Sequence, residues 1–270
     1  MTDLSAIAGD IALIGVGNMG EAILAGLVQA GLPPARIRVS DLSRAKQVSQ
    51  QYGVVLAPNP AQAARGASSI VIAVKPYQVQ DVVTQMAPQM QPGTLLMSVA
   101  AGVACRDLEA WALTPTNPRP ATVRAMPNTP ARVRHGATAI ARGAFASDSQ
   151  MMTAQLIFGA VGAVITVDEK QMAAVGAVSG CGPAYLFLVA EAMTEAGVRL
   201  GLSRDVAAKL VTQTFVGSAS LLATDESPTE LRAQVTSPGG TTAAAIFELE
   251  DRGVRAALSA AMKASVTHQP

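Results

Sequence analysis

The hexapeptide Gly15-Val16-Gly17-Asn18-Met19-Gly20 constrains the fold of this chain more than any other feature. It follows a short apolar run, 11–14, and opens a stretch with helical spacing at Ile23, Leu27 and Ala30 that Gly31 and Pro33-Pro34 close. In a G-x-G-x-x-G turn between strand and helix, the first glycine permits the tight turn. The second lets a ligand approach the backbone, and the third lets the helix pack closely on the strand. The unpaired N–H groups at the helix start favour an anion, above all a phosphate. Such strings are weak in isolation, so their context carries the weight.

That context is an alternation. Further β-rich runs occur at 37–40, 54–55, 70–74, 95–99 and 122–125, separated by helical spacing, and several are apolar throughout. Strands buried on both faces read this way. Strand and helix repeated in turn predict an α/β domain, a Rossmann-like doubly wound sheet, over residues 1–167. After Asp168 the strand signals stop, and 168–270 reads as an all-helical domain. Its helices are expected at 183–199, at 203–223 and in two segments after Pro228, with Pro183 at a first helical position, Gly201 at an end and Ser203 as an N-cap. The chain's 270 residues, half of them apolar, suffice for both domains.

Placed at the carboxyl end of the first strand, the turn predicts a dinucleotide site. Ile14, Gly15, Val16, Gly17, Asn18, Met19 and Gly20 would face its pyrophosphate. The second strand ends at Ser40-Asp41, where an acidic side chain meets the adenosine ribose in NAD-specific sites. Ser43, Arg44 and Lys46 follow, a hydroxyl and two cations that could hold a 2′-phosphate or could simply cap and solvate the next helix. The balance leans to NADPH with NADH accepted. Three more strand ends should reach the coenzyme: Val74-Lys75-Pro76, Val99-Ala100-Ala101 with Gly102, and the loop carrying Asn128 between two prolines. Small residues in the second allow a nicotinamide ring to pack on backbone, and Asn128 offers an amide to a carboxamide or ribose.

Reduction of a carbonyl usually needs a proton donor such as His, Lys or Tyr. Here His135 sits in a loop-like step, His268 stands near the end, and Tyr185 suits a core or interface. A protonated imine needs no strong acid, because its electrophile arrives charged. The stretch Ser237-Pro238-Gly239-Gly240-Thr241-Thr242, before an expected helix at 243–249, makes an anion cradle from backbone amides and hydroxyls. Its alternative is an ordinary loop with a threonine N-cap; its obvious tenant is a substrate carboxylate. A second glycine turn, Ser179-Gly180-Cys181-Gly182-Pro183, opens the long helix.

Composition narrows the partners. With 14% charged residues and a net charge of +1, nothing suggests nucleic acid. Few charges and many apolar residues suit a surface covered by other subunits. The first ten residues include Asp3 and Asp10 and have no signal-peptide pattern. The longest apolar run, taken as 156–167, is shorter than the roughly 20 residues a membrane helix needs. Cys105 and Cys181 stand outside any metal spacing and read as free thiols. The expectation is a cytoplasmic homo-oligomer without a metal, a membrane or a nucleic acid.

Taken in order, GVGNMG from Gly15, AVKP from Ala73, VAAG from Val99, RAMPNTP from Arg124, SGCGPAY from Ser179 and VTSPGGTT from Val235 resemble the Δ1-pyrroline-5-carboxylate reductase family over nearly the whole chain. Two departures are Cys181, where serine is more usual, and the segment 41–44, an atypical loop for NADPH. The resemblance implies hydride transfer from NADPH or NADH to the imine carbon of 1-pyrroline-5-carboxylate, giving L-proline. It implies that Ser237, Gly239, Gly240, Thr241 and Thr242 hold the substrate, with Thr242 hydrogen-bonded to the ring nitrogen as the catalytic residue and Glu169 as a neighbour. It further implies homodimers through the helical domain, assembled into decamers, with the substrate loop supplied by the dimer partner. Two rivals fit less well. A β-hydroxyacid dehydrogenase would place a lysine in the long helix after Pro183, where none stands, and a non-enzymatic dinucleotide sensor has no use for the cradle at 237–242.

Overall fold

Strands that are apolar on both faces need cover on both sides, and the first part of the chain supplies it. In the computed structural model, which describes residues 4–268, the strands are β1 (Asp10–Ile14), β2 (Ile37–Ser40), β3 (Val55–Leu56), β4 (Ala67–Ile72), β5 (Leu95–Ser98), β6 (Ala121–Met126), β7 (Gly136–Arg142) and β8 (Gly162–Thr166). They form one sheet in the order β3-β2-β1-β4-β5-β6-β7-β8. The pairs from β3 to β6 are parallel. β7 runs antiparallel to β6, and β8 parallel to β7.

Alternation along each strand sorts its side chains. Ile11, Leu13, Val71, Leu95 and Met97 enter one core cluster, with Ile23, Leu24 and Leu27 of α1 (Asn18–Gln29) and Val48 of α2 (Ala45–Tyr52). Ala12, Ile14, Ile70, Ile72 and Leu96 enter the other. There they meet Ala63 of α3 (Pro60–Ala64), Val79 and Val83 of α4 (Val79–Met86) and Leu108 of α5 (Cys105–Ala112). This is the doubly wound α/β arrangement expected.

The sheet has two more strands than the sequence suggests. The run 156–167 is not one apolar element: it contains the end of α6 (Asp148–Gly159), a turn and β8. β7 reads Gly-Ala-Thr-Ala-Ile-Ala-Arg, too poor in β-branched residues to announce itself. Nor is 156–167 the longest apolar stretch. The helical segment Glu169–Arg199 reaches a mean hydropathy of 1.6 and is long and apolar enough, by length and composition, to cross a membrane.

Two compact units emerge, one reaching Gly180 and the other spanning Cys181–Thr267. The divide lies beyond the 167/168 boundary expected from periodicity. The reason is that α7 (Met172–Val175) stays with the sheet, its Met172 buried beside Ala139 and Ala141. The second unit is helical: α8 (Gly182–Arg199), α9 (Arg204–Leu222), α10 (Pro228–Gln234), α11 (Thr241–Asp251) and α12 (Val254–Thr267). Ser203 caps α9 by accepting the Val206 N–H at 3.4 Å. A Cβ on Gly197 of α8 would stand 3.2 Å from that of Ala207 on α9, so glycine permits the close packing of the pair.

Candidate active site

The three glycines of the turn have separable geometries. Gly15 has φ +91°, and an added Cβ would lie 2.7 Å from the Ala73 carbonyl carbon. A Cβ at Gly20 would strike the Gly15 carbonyl oxygen. At Gly17 it would meet nothing within 4 Å, and φ there is −69°. Two glycines therefore serve the protein's own packing, and the middle one leaves an open approach to the start of α1. Gly17, the N-cap of α1, has no side chain to cover the helix-start amides. Strand ends meet around this turn: Gly15 donates to the Ser40 carbonyl at 2.8 Å, Ala73 to Ile14 at 2.7 Å and Val99 to Ile72 at 3.0 Å.

Asp41 is engaged by the turn itself. Its Oδ2 accepts the Val16 N–H at 2.9 Å, and Oδ1 accepts the N–H groups of Ser43 and Arg44, each at 2.9 Å, and the Ser43 hydroxyl at 3.3 Å. Burial works to raise its pKa, but these donors outweigh it and hold the carboxyl below its usual value of 3.8. Arg44 reaches back over the turn. Nη1 donates to the Val16 carbonyl at 3.0 Å, and Nη2 pairs with Glu21 at 2.6 Å. Glu21, absent from the sequence-level site, also accepts from the Tyr52 hydroxyl at 3.3 Å. Its signal was an acid in the first turn of the helix that follows the glycine turn.

The remaining strand ends differ in role. Lys75 is exposed, and its N–H donates to Gln78 at 3.2 Å in the short turn that Pro76 opens beside Val74. Ala100 is buried and its N–H donates to the Ser98 hydroxyl at 3.2 Å, while Ala101 is partly exposed. Asn128 is 9% exposed and its amide is committed within the unit: Oδ1 accepts Ala137 N–H at 2.8 Å, and Nδ2 donates to the Ser179 carbonyl at 3.1 Å. That geometry secures the turn before Cys181.

Glu169 holds a similar post. Its Oε1 accepts the Cys105 N–H at 2.7 Å and lies 3.7 Å from Nη1 of Arg124. Burial, and then the Glu169 charge, push the Cys105 thiol up from 9.0 to about 12. Arg124 was also missed, although a lone cation inside an apolar strand run is a legible sign. In the helical unit the cradle is a tight turn, with Gly240 donating to the Ser237 carbonyl at 3.0 Å and Gly239 at φ +68°. α11 begins at Thr241, earlier than the expected 243, so Thr242 lies in its first turn and is half-buried. Gly240 likewise caps that helix without a side-chain bond.

A glycine cradle at the carboxyl edge of a parallel sheet, followed by a helical unit, defines the class: a dinucleotide-binding oxidoreductase. The family "NADP oxidoreductase coenzyme F420-dependent" matches residues 10–102, and "Pyrroline-5-carboxylate reductase dimerisation" matches residues 169–269. A pyrroline-5-carboxylate reductase of Pseudomonas aeruginosa is 42% identical, with 94% of this chain and 93% of that protein covered. Among solved structures, a pyrroline-5-carboxylate reductase from Coxiella burnetii superposes with a TM-score of 0.90 at 38% identity, covering 96% of each chain. The Plasmodium falciparum pyrroline carboxylate reductase, solved with NADP bound, gives 0.84 at 28% identity over 97% of each. The chain belongs to the pyrroline-5-carboxylate reductase family.

Proposed function

We propose that the protein catalyses NAD(P)H-dependent reduction of 1-pyrroline-5-carboxylate to L-proline, the last step of proline biosynthesis, in the cytoplasm. The observation that carries this reading is one chain holding both an open Gly17 approach at α1 and an α11 start capped by Gly240 without a side-chain bond. Each is a separate anion cradle, one for a pyrophosphate and one for a carboxylate.

Gly17 leaves room for a dinucleotide at the start of α1, in a turn that Gly15 and Gly20 keep tight and where Ile14, Val16, Asn18 and Met19 complete the cradle. Val99, Ala100 and Ala101 would hold its nicotinamide end, and the reduced coenzyme would supply a hydride. NADPH is the preferred form, with NADH accepted. In support, the Asp41 carboxylate already has four donors and little capacity left for a ribose hydroxyl. Arg44 keeps donors beyond the two it uses, and Ser43 stands beside it. In the helical domain, the amides of Gly239, Gly240 and Thr241 with the Ser237 hydroxyl fix the substrate carboxylate. The Thr242 hydroxyl orients the ring nitrogen, which takes the C=N electron pair as the hydride reaches carbon and leaves as the amine of proline. The iminium arrives protonated, so no residue need deliver a proton in the difficult step. Positioning of this kind can supply roughly 7–11 kcal/mol. The cradle comes from a second copy in a homodimer built through the helical domain, and dimers assemble into decamers.

The test is loss of reduced-nicotinamide absorbance with 1-pyrroline-5-carboxylate, using NADPH and then NADH, with proline measured as product. Turnover of small keto acids in place of the imine would overturn the assignment.

A further inference from the structure

We propose that Glu169 is a positioning residue that locks the nicotinamide-side loop, 99–104, from outside; the proposal rests on the coenzyme placement above. The loop joins β5 to α5 and turns at Gly102, φ +78°. At its start Val99 N–H donates to the Ile72 carbonyl at 3.0 Å, and side chains supply the remaining fastenings. Local ones are Ala100 N–H to the Ser98 hydroxyl and Ala104 N–H to the Asp107 carboxylate, each at 3.2 Å. Among the described residues, the distant side-chain acceptor is Glu169, 64 residues further along the chain, which takes the N–H of Cys105, the first residue of α5, at 2.7 Å. That bond fixes the point where loop becomes helix. It is charge-assisted, and the carboxylate is steadied on its other side by Arg124 of β6, whose side chain is only 12% exposed. Cys105 is buried, and its thiol lies 3.8 Å from the Ala141 carbonyl, so the junction cannot drift without opening the core.

A carboxylate so engaged serves the loop rather than a substrate. Reaction distance is set by where the loop holds the nicotinamide ring, so release of this anchor should slow hydride transfer and spare the adenosine end, which other elements bind. In Glu169→Ala, kcat should fall about 10- to 100-fold, as expected for a small misplacement of reacting atoms. The primary isotope effect with NADPH deuterated at the transferred position should rise. The Kd for ADP-ribose, which lacks nicotinamide, should stay within about twofold, and the Cys105 amide of the coenzyme-free protein should exchange hydrogen faster. Glu169→Gln keeps the acceptor oxygen and should restore most of kcat. Should the alanine variant fail to fold, the glutamine variant decides: a modest fall in kcat with a raised isotope effect supports the role. In either variant, an unchanged isotope effect with a raised KM for 1-pyrroline-5-carboxylate would mean that Glu169 touches substrate, and would overturn the proposal. A parallel loss of ADP-ribose affinity would overturn it too, as general damage. Wild-type turnover in the same assay separates either failure from an error in the reaction itself.

Discussion

Gly17→Ala isolates ligand binding from folding. The added methyl group meets no atom of the protein within 4 Å, and the backbone at φ −69° suits alanine. Folding should therefore be unharmed, and a less flexible unfolded chain could add about 0.4–1 kcal/mol of stability. The same methyl group stands where a pyrophosphate must approach the amides that open α1. Losing one charge-assisted hydrogen bond costs about 1.5–3 kcal/mol, which is about 10- to 150-fold in Kd. The companion Gly20→Ala drives a methyl group into the Gly15 carbonyl oxygen. It should lose about 1–3 kcal/mol of stability through overpacking and bind coenzyme poorly as well. Urea unfolding and quenching or enhancement of NADPH fluorescence measure the two quantities on the same samples. If Gly17→Ala binds NADPH within about twofold of wild type, the pyrophosphate does not lie against this turn. If it unfolds early instead, the space at Gly17 serves the fold and the separation of roles is wrong.

Thr242→Ala should lower turnover about tenfold, the worth of one hydrogen bond of about 1.5 kcal/mol, with NADPH affinity unchanged; an equal loss of coenzyme affinity would remove Thr242 from the substrate side. Arg44→Ala should weaken NADPH more than NADH, since only the former has a 2′-phosphate for it. Equal weakening would mean that its bonds to Val16 and Glu21 merely brace the turn. The Cys105 thiol is raised from 9.0 to about 12 in the folded protein. The folded state therefore holds a proton that the unfolded state gives up first, and this contribution is intact below 9.0 and lost as pH rises towards about 12. Denaturation midpoints should fall across that window in the wild type and fall less in Cys105→Ala.

The sequence shows the first six strands because each is a short β-rich run closed by a turn, and the first five lead on to helical spacing. β7 and β8 obey no such rule. They are recruited by pairing, β7 against β6 and β8 against β7, and alanine-rich strands become strands only through their neighbours. Motif residues were legible for the same reason as the early strands, since Gly15, Gly17 and Gly20 act through their own backbone. Glu21, Arg124 and the structural duties of Asp41, Asn128 and Glu169 were not, because each depends on a partner 23 to 64 residues away or on a neighbouring strand.

The apolar composition of the second half has the same explanation. In the helical unit only Pro183, Ala207 and Val211 are buried, while Leu186, Phe187, Leu188, Val216, Leu221 and Phe247 are more than half exposed. A unit that covers so little of its apolar surface does not gain enough to offset the ordering of its own chain. The apolar helical segment Glu169–Arg199, which includes α8, could be mistaken for a membrane span, with 22% of the relevant window buried. Yet Glu191, Glu195, Arg199 and Asp205 stand among those apolar side chains, and the matched family domain is one of dimerisation. The missing cover is therefore protein, and the chain is a homo-oligomer. Folding of this unit and assembly are then one process, so dilution or a charge placed on the α8 face, as in Phe187→Asp, should cost helix content and activity together. Loss of activity with full helix content would show that the helices stand without their partner.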